Sequence, residues 1–130
     1  MFKSIFSKNQ IDNLNACYNA KTNQLALSYQ YSALLTHTSL VATSAIVLEN
    51  NFNQILTLAR TGVGTYDITI TGNAFALNKT SYLVVNNHSS LAFFKMSWVN
   101  TSTLRIETYL NGSLTDELMY RVPVTINVYK

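Results

Sequence analysis

Two histidines, a single cysteine and one adjacent pair of carboxylates are the residues whose types invite chemistry. His37 and His88 stand far apart in sequence, and a metal site needs three or four converging ligands. His88 lies between Asn87 and Ser89, a context that reads as solvated loop; His37 also reads as loop. Asp116 and Glu117 are sequence neighbours, and neighbours on an extended chain point to opposite sides. They therefore make a poor pair for flanking a glycosidic bond. Cys17 has no second cysteine to pair with and no nearby histidine to activate it, so it reads as a small apolar filler. No Gly-x-Ser-x-Gly elbow occurs. The expectation is a protein that is not an enzyme and uses no metal or cofactor.

"TGVGT" at 61–65 resembles a phosphate-binding loop only superficially. A dinucleotide loop needs a third glycine and a helix behind it, so that phosphate meets the helix N-terminus. Here Asp67 takes the third position, and the segment that follows alternates as a strand. The Gly-Lys-Ser/Thr of a Walker loop is absent as well. The segment reads as a hairpin connection, with glycine supplying a positive φ at no steric cost.

These residues sit on elements of period two. Leu25, Leu27, Tyr29, Tyr31, Ala33 and Leu35 share one face of the first such segment. Tyr66, Ile68 and Ile70 share a face of another. Leu104 and Ile106 follow the same rule, as do Val122, Val124, Ile126 and Val128. Pro123 cannot donate to a ladder and is expected near a strand start or on an edge. Further strands are expected at 44–49, 54–60, 80–86, 91–98 and 114–120. Between them lie the turn-rich stretches "ENNFN", "GNAF", "NNHSS", "VNTS" and "NGS". The prediction is an all-β antiparallel sandwich or jelly roll of eight or nine strands over 25–130.

Residues 1–24 differ. Ile11, Leu14 and Tyr18 recur at helical spacing, and Ser7 with Gln10 fits a capping box. The segment reads as an N-terminal arm or anchor, with Ile5, Phe6, Ile11, Leu14 and Tyr18 as its apolar contacts. "MFKSIFSK" lacks the apolar run of a signal peptide, and no stretch reaches the roughly 20 apolar residues of a membrane span. Export by a standard route and a membrane partner are not expected.

Charged residues make up only 12% of the 130-residue chain, leaving a surface rich in Asn, Ser and Thr. The nine Lys/Arg are scattered, so nucleic acid is not an expected partner despite the net charge of +3. Asn78, Asn87, Asn100 and Asn111 stand in Asn-x-Ser/Thr sequons, at a frequency expected by chance in this composition.

The pieces "YSALL", "ATSAIVLEN", Arg60 before "GVGTY", "GNAFALNKT" and the ending "VPVTINVYK" occur in that order. Over roughly 29–130 the chain resembles small virion-associated proteins of bacteriophages of Bacteroidota, including crAss-like phages. It departs from them at "THTSL", where they often have a glycine, and at Thr43, where they often have a proline. The resemblance implies a structural β domain that assembles as a homotrimer, used as a head fibre or capsid decoration on the virion surface after synthesis in the host cytoplasm. Capsid or other virion proteins are then its partners; the resemblance names no receptor, and a host-surface glycan enters only as what an exposed aromatic patch on a β-sandwich would suit if it is not a subunit interface. A tail-fibre or baseplate adaptor and a lone carbohydrate-binding module are the alternatives.

The aromatic residues bear on that choice. Most of those on the strands are expected in the core. Phe93 and Phe94 are adjacent, so a strand sends them to opposite faces. Ala92, Phe94 and Met96 form the drier face and are expected inward. Leu91 and Phe93 then face a neighbouring subunit.

Overall fold

The computed structural model describes residues 7–15 and 28–130. Residues 8–15 form a helix, and its first turn carries the expected capping box. The Gln10 amide N–H donates to Ser7 Oγ at 3.2 Å, and the Ser7 N–H donates to Gln10 Oε1 at 2.9 Å. Ile11 and Leu14 on this helix are exposed. Ile5, Phe6 and Tyr18, like Leu25 and Leu27, lie outside the described residues.

The remainder is all-β. Its strands are β1 (Ser28–His37), β2 (Ser44–Asn50), β3 (Leu56–Gly62), β4 (Thr65–Ile70), β5 (Thr80–Val84), β6 (Ala92–Asn100), β7 (Thr103–Leu110), β8 (Ser113–Leu114) and β9 (Met119–Tyr129). They form two antiparallel sheets. Sheet A runs β2-β1-β9-β5, and sheet B runs β3-β4-β7-β6 with β8 on β7. The inward residues are the expected alternating sets. Tyr31, Ala33 and Leu35 on β1 and Val122, Val124, Ile126 and Val128 on β9 come from sheet A. Tyr66, Ile68 and Ile70 on β4 meet them from sheet B, with Leu104 and Ile106 on β7. Interdigitation of two such inner faces makes the core of a β-sandwich.

Five sequence expectations change. The stretch 114–120 is not a strand, because β8 ends at Leu114 and β9 begins at Met119, with a turn between. The β1–β9 register skips between Leu35↔Val122 and His37↔Met119, which leaves one extra residue on β9. Arg121 absorbs this bulge at φ 51, its N–H donating to Thr36 Oγ1 at 3.1 Å. The Asn87 amide donates to the carbonyls of Tyr120 and Arg121 and pins it further.

Pro123 therefore lies in a central strand and not on an edge. Its carbonyl accepts from the Val85 N–H at 3.0 Å, just past the last β5–β9 pair, Val84↔Val124. Its ring nitrogen faces the same side and cannot return the reciprocal bond to the Val85 carbonyl, so the β5–β9 ladder stops here while the pairing with β1 is untouched. His37 ends β1 and is not in a loop. β3 starts at Leu56, two residues later than expected.

Finally, Phe52 and Phe75 are buried although both fall in turn-rich segments. Their rings meet edge to face at 6.2 Å as part of the hydrophobic core. Trp98 Nε1–H donates to the Phe75 carbonyl at 2.8 Å and holds that loop in place.

Candidate functional site

The densest polar cluster joins four segments distant in sequence. Val63 and Gly64 form the two-residue turn of the β3–β4 hairpin, between the partners Gly62 and Thr65. Of the two turn residues only Gly64 has a positive φ, +58, the left-handed position that glycine fills without steric cost. A Cβ there would stand 2.7 Å from both Thr108 O and Thr115 N, so the site needs glycine for space as well as for φ. The turn reading of "TGVGT" holds.

Asp116 reaches back to this hairpin. It accepts from Arg60 Nε at 3.0 Å and Nη2 at 2.7 Å, and from the Gly64 N–H at 2.8 Å. The Tyr66 hydroxyl donates to it at 3.4 Å and also meets His37 Nδ1 at 2.8 Å. The Arg60 hydrogen bonds, assisted by the Gly64 N–H and against some desolvation, hold the Asp116 carboxyl down at about 2. Burial, with the nearby Asp116 charge, pushes the Tyr66 phenol up to about 12. The carboxylate stays charged and the phenol stays protonated through the neutral range. Three N–H donors already occupy the Asp116 oxygens, and the side chain clamps the 115–118 turn onto the β3–β4 hairpin. Thr108 completes the clamp, its buried hydroxyl donating to the Thr115 carbonyl at 2.7 Å. Glu117 adopts φ +67, which turns the chain away after Asp116. Sequence reading missed this cluster, since Arg60 and Asp116 are 56 residues apart.

His88 lies in an exposed loop, with its N–H on Asn86 Oδ1 and its ring against Ser89 Oγ. Among the described residues no three His, Cys, Asp or Glu side chains converge as a metal site. No helix among them is long and apolar enough to cross a membrane. Three of the sequon asparagines have work inside the fold. Asn87 pins the bulge, Asn100 Oδ1 accepts from the Ser102 N–H, and Asn111 starts the Asn-Gly turn between β7 and β8 at φ 51.

The aromatic pair follows the expected alternation. Ala92 and Phe94 are buried, and Met96 packs against the core. Phe93 is 60% exposed and Leu91 64%. Phe93 lies opposite Tyr109, which lies opposite Leu114, so the three form an apolar row across β6, β7 and β8. The Phe93 and Tyr109 rings sit 6.0 Å apart. Beside them the outer face of sheet B is charged and internally paired. Arg105 Nε meets Asp67 at 2.8 Å, Lys95 approaches Glu107 at 3.8 Å, and the Tyr109 hydroxyl donates to Glu107 at 3.0 Å. The expectation that most strand aromatics are core holds for Tyr31, Tyr66 and Phe94, with Tyr82 and Trp98 packed at its margin. Tyr29, Tyr120 and Tyr129 are exposed instead.

Sheet A carries a second apolar feature that sequence reading did not single out. β2 is an edge strand, and Ile46, Val47 and Leu48 on it are each half-exposed or more. Neither lysine nor proline guards this edge. A hint lay in the run "AIVL", which cannot alternate as a strand with one wet face must.

No family model matches the chain, and neither a curated protein nor a solved structure matches it.

Proposed function

We propose that this chain is a structural protein of a bacteriophage virion. It forms a homotrimeric head fibre or capsid decoration and docks to the particle through residues 1–24. The observation that carries the reading is the apolar row of exposed Phe93 and Leu114 with half-buried Tyr109 between them and exposed Leu91 beside it, on an otherwise charged sheet face. Exposed aromatic patches rimmed by polar groups mark interaction surfaces. The apolar β2 edge, with Glu49 as its one charge, supports assembly independently. The number of subunits and the virion setting rest on the ordered resemblance over 29–130, as does the finer jelly-roll form of the sandwich.

In this reading Phe93 and Leu91 pack around a threefold axis, while Ile5, Phe6, Ile11, Leu14 and Tyr18 contact the capsid. Light scattering coupled to size exclusion on the full chain tests the assembly. A mass three times that of the 14.6 kDa chain is expected. A strict monomer at high micromolar concentration overturns it. Locating the chain in a particle reconstruction tests the setting, and absence from purified virions overturns that part.

A further inference from the structure

We propose that the outer face of sheet A, over β5 and β9, is a binding site for a neutral glycan. The site is distinct from the Phe93 patch and does not depend on the virion reading. Ser81, Thr125 and Asn127 line an open trough of about 340 Å³ together with Leu83 and Tyr82. The registers Ser81↔Asn127 and Leu83↔Thr125 place these side chains side by side on one face. The β1–β9 register continues the polar surface across the sheet, with Gln30 opposite Asn127 and Ser32 opposite Thr125.

Three features set the ligand class. The first is that the trough is built from hydroxyls and an amide, groups that both donate and accept. No hydrogen bond among the described residues uses the side chains of Ser81, Thr125 or Asn127, so their capacity faces outward. On sheet B the comparable positions are consumed by Arg105–Asp67 and Lys95–Glu107.

The second feature is charge. None of the residues lining the trough is ionisable apart from Tyr82, whose hydroxyl is engaged with the Trp98 N–H at 3.2 Å. An anionic ligand or a nucleic-acid backbone would find no cation among the lining residues, since the exposed Lys79 stands two residues before Ser81 and outside the trough, and such backbones bind mainly through neutralised phosphates.

The third is the apolar frame. Leu83 is 61% exposed within the trough. Tyr129, 52% exposed, lies two residues beyond Asn127 on the same face of β9. A saccharide ring presents hydroxyls around its rim and C–H groups on its face. Neutral donors and acceptors beside an amphipathic aromatic ring complement both parts.

The test uses the full chain labelled with ¹⁵N. Maltohexaose, cellohexaose and mannohexaose serve as neutral probes, and hexagalacturonate as the anionic one. Each is titrated to about 10 mM, well above the Kd of a millimolar site. At least one neutral probe is expected to shift amides centred on Ser81, Leu83, Thr125 and Asn127. The Ser81→Ala/Asn127→Ala double variant, both positions being at the surface, is expected to bind it at least tenfold more weakly with an unchanged melting temperature. Phe93→Asp is expected to bind as the parent does. A monomer that binds at this trough would overturn the assembly reading and leave the site standing. No shift with any neutral probe, shifts centred on Phe93 and Tyr109, or tighter binding of hexagalacturonate each overturns the proposal. So does shielding of the Leu83 methyls from a soluble gadolinium chelate in the unliganded protein, because the face would then be a subunit contact.

Discussion

Arg105, at the middle of the outer face of sheet B, meets Asp67 across one strand gap at 2.8 Å. The matching cross-strand pair on the outer face of sheet A is Ser32 and Thr125, whose side chains bond to neither each other nor any other described residue. Both faces arise from the same period-two alternation, yet one saturates its own polar groups and the other leaves them to solvent or a ligand. A saturated face gains little from a polar partner, because each new bond must replace an existing one. Sheet B is therefore suited to association only at its apolar row around Phe93. Sheet A is suited to a ligand that brings neutral donors and acceptors.

The largest test strikes the clamp that ties sheet B to the 115–118 turn. Gly64→Val places a branched side chain at φ +58 and against fixed backbone atoms of Thr108 and Thr115. Left-handed strain and overpacking together cost about 2–5 kcal/mol, towards the upper end because the atoms in the way are backbone. That is much of the margin of a small domain, so the melting temperature should fall by more than about 10 °C. A fall of a degree or two would mean that the clamp does not organise this end of the sandwich. Adding nucleotide to the parent protein should leave its melting temperature unchanged.

Phe93→Asp asks whether the apolar row is where sheet B associates. The residue is exposed in the single chain, so the fold should lose only its cross-strand contact with Tyr109 and some strand propensity, about 1 kcal/mol, and stay folded. An unpaired charge in a dry subunit contact costs about 2–4 kcal/mol, enough to shift the assembled form toward monomer at micromolar concentration. Sedimentation velocity on the parent and the variant reads this directly. An unchanged assembly would move the contact elsewhere, first to the β2 edge.

The inward and outward roles of single residues were legible because a pleated strand leaves little choice. Phe94 in and Phe93 out, or Ile68 in and Thr69 out, need only the alternation. Strand neighbours were not legible. Nothing local says that β1 lies between β2 and β9, or that β4 and β8 both pair with β7, the arrangement that brings Asp116 to Arg60. The buried Phe52 and Phe75 were hidden for a related reason. A turn has no periodicity, so its one apolar residue can be core without leaving a pattern. The expected strand at 114–120 is broken by the 115–118 turn, whose partners Arg60, Gly64 and Thr108 lie on other segments, and the bulge at Arg121 likewise depends on the distant Thr36 and Asn87.

The Asp116 carboxylate offers a pH test of the clamp. Its folded value of about 2 lies below its ordinary 3.8, so ionisation stabilises the fold. That contribution is complete above the unfolded value and is lost as pH falls from about 4 through about 2. At this part-exposed site solvent screening reduces it to about 1 kcal/mol. Asp116→Asn should thus melt several degrees lower than the parent at pH 7, with the gap closing towards pH 2. A gap independent of pH would mean that the variant loses packing and not charge.

The smallest effect tests the contrast between the faces most directly. A double-mutant cycle on sheet B compares Arg105→Met, Asp67→Asn and the pair. Arg105 binds Asp67 in two-pronged fashion, Nε at 2.8 Å and Nη2 at 3.0 Å, yet the arginine side chain is 38% exposed. A coupling of about 0.5 kcal/mol is expected, shrinking in 1 M salt as the Debye length contracts to roughly 3 Å. The same cycle on sheet A, with Ser32→Ala and Thr125→Val, should give a coupling within error of zero at any salt concentration, because those side chains do not bond to each other. Equal couplings on the two faces would break the comparison. A large coupling on sheet A would show that its hydroxyls are engaged with each other in solution, and the donors required by a glycan would already be spent.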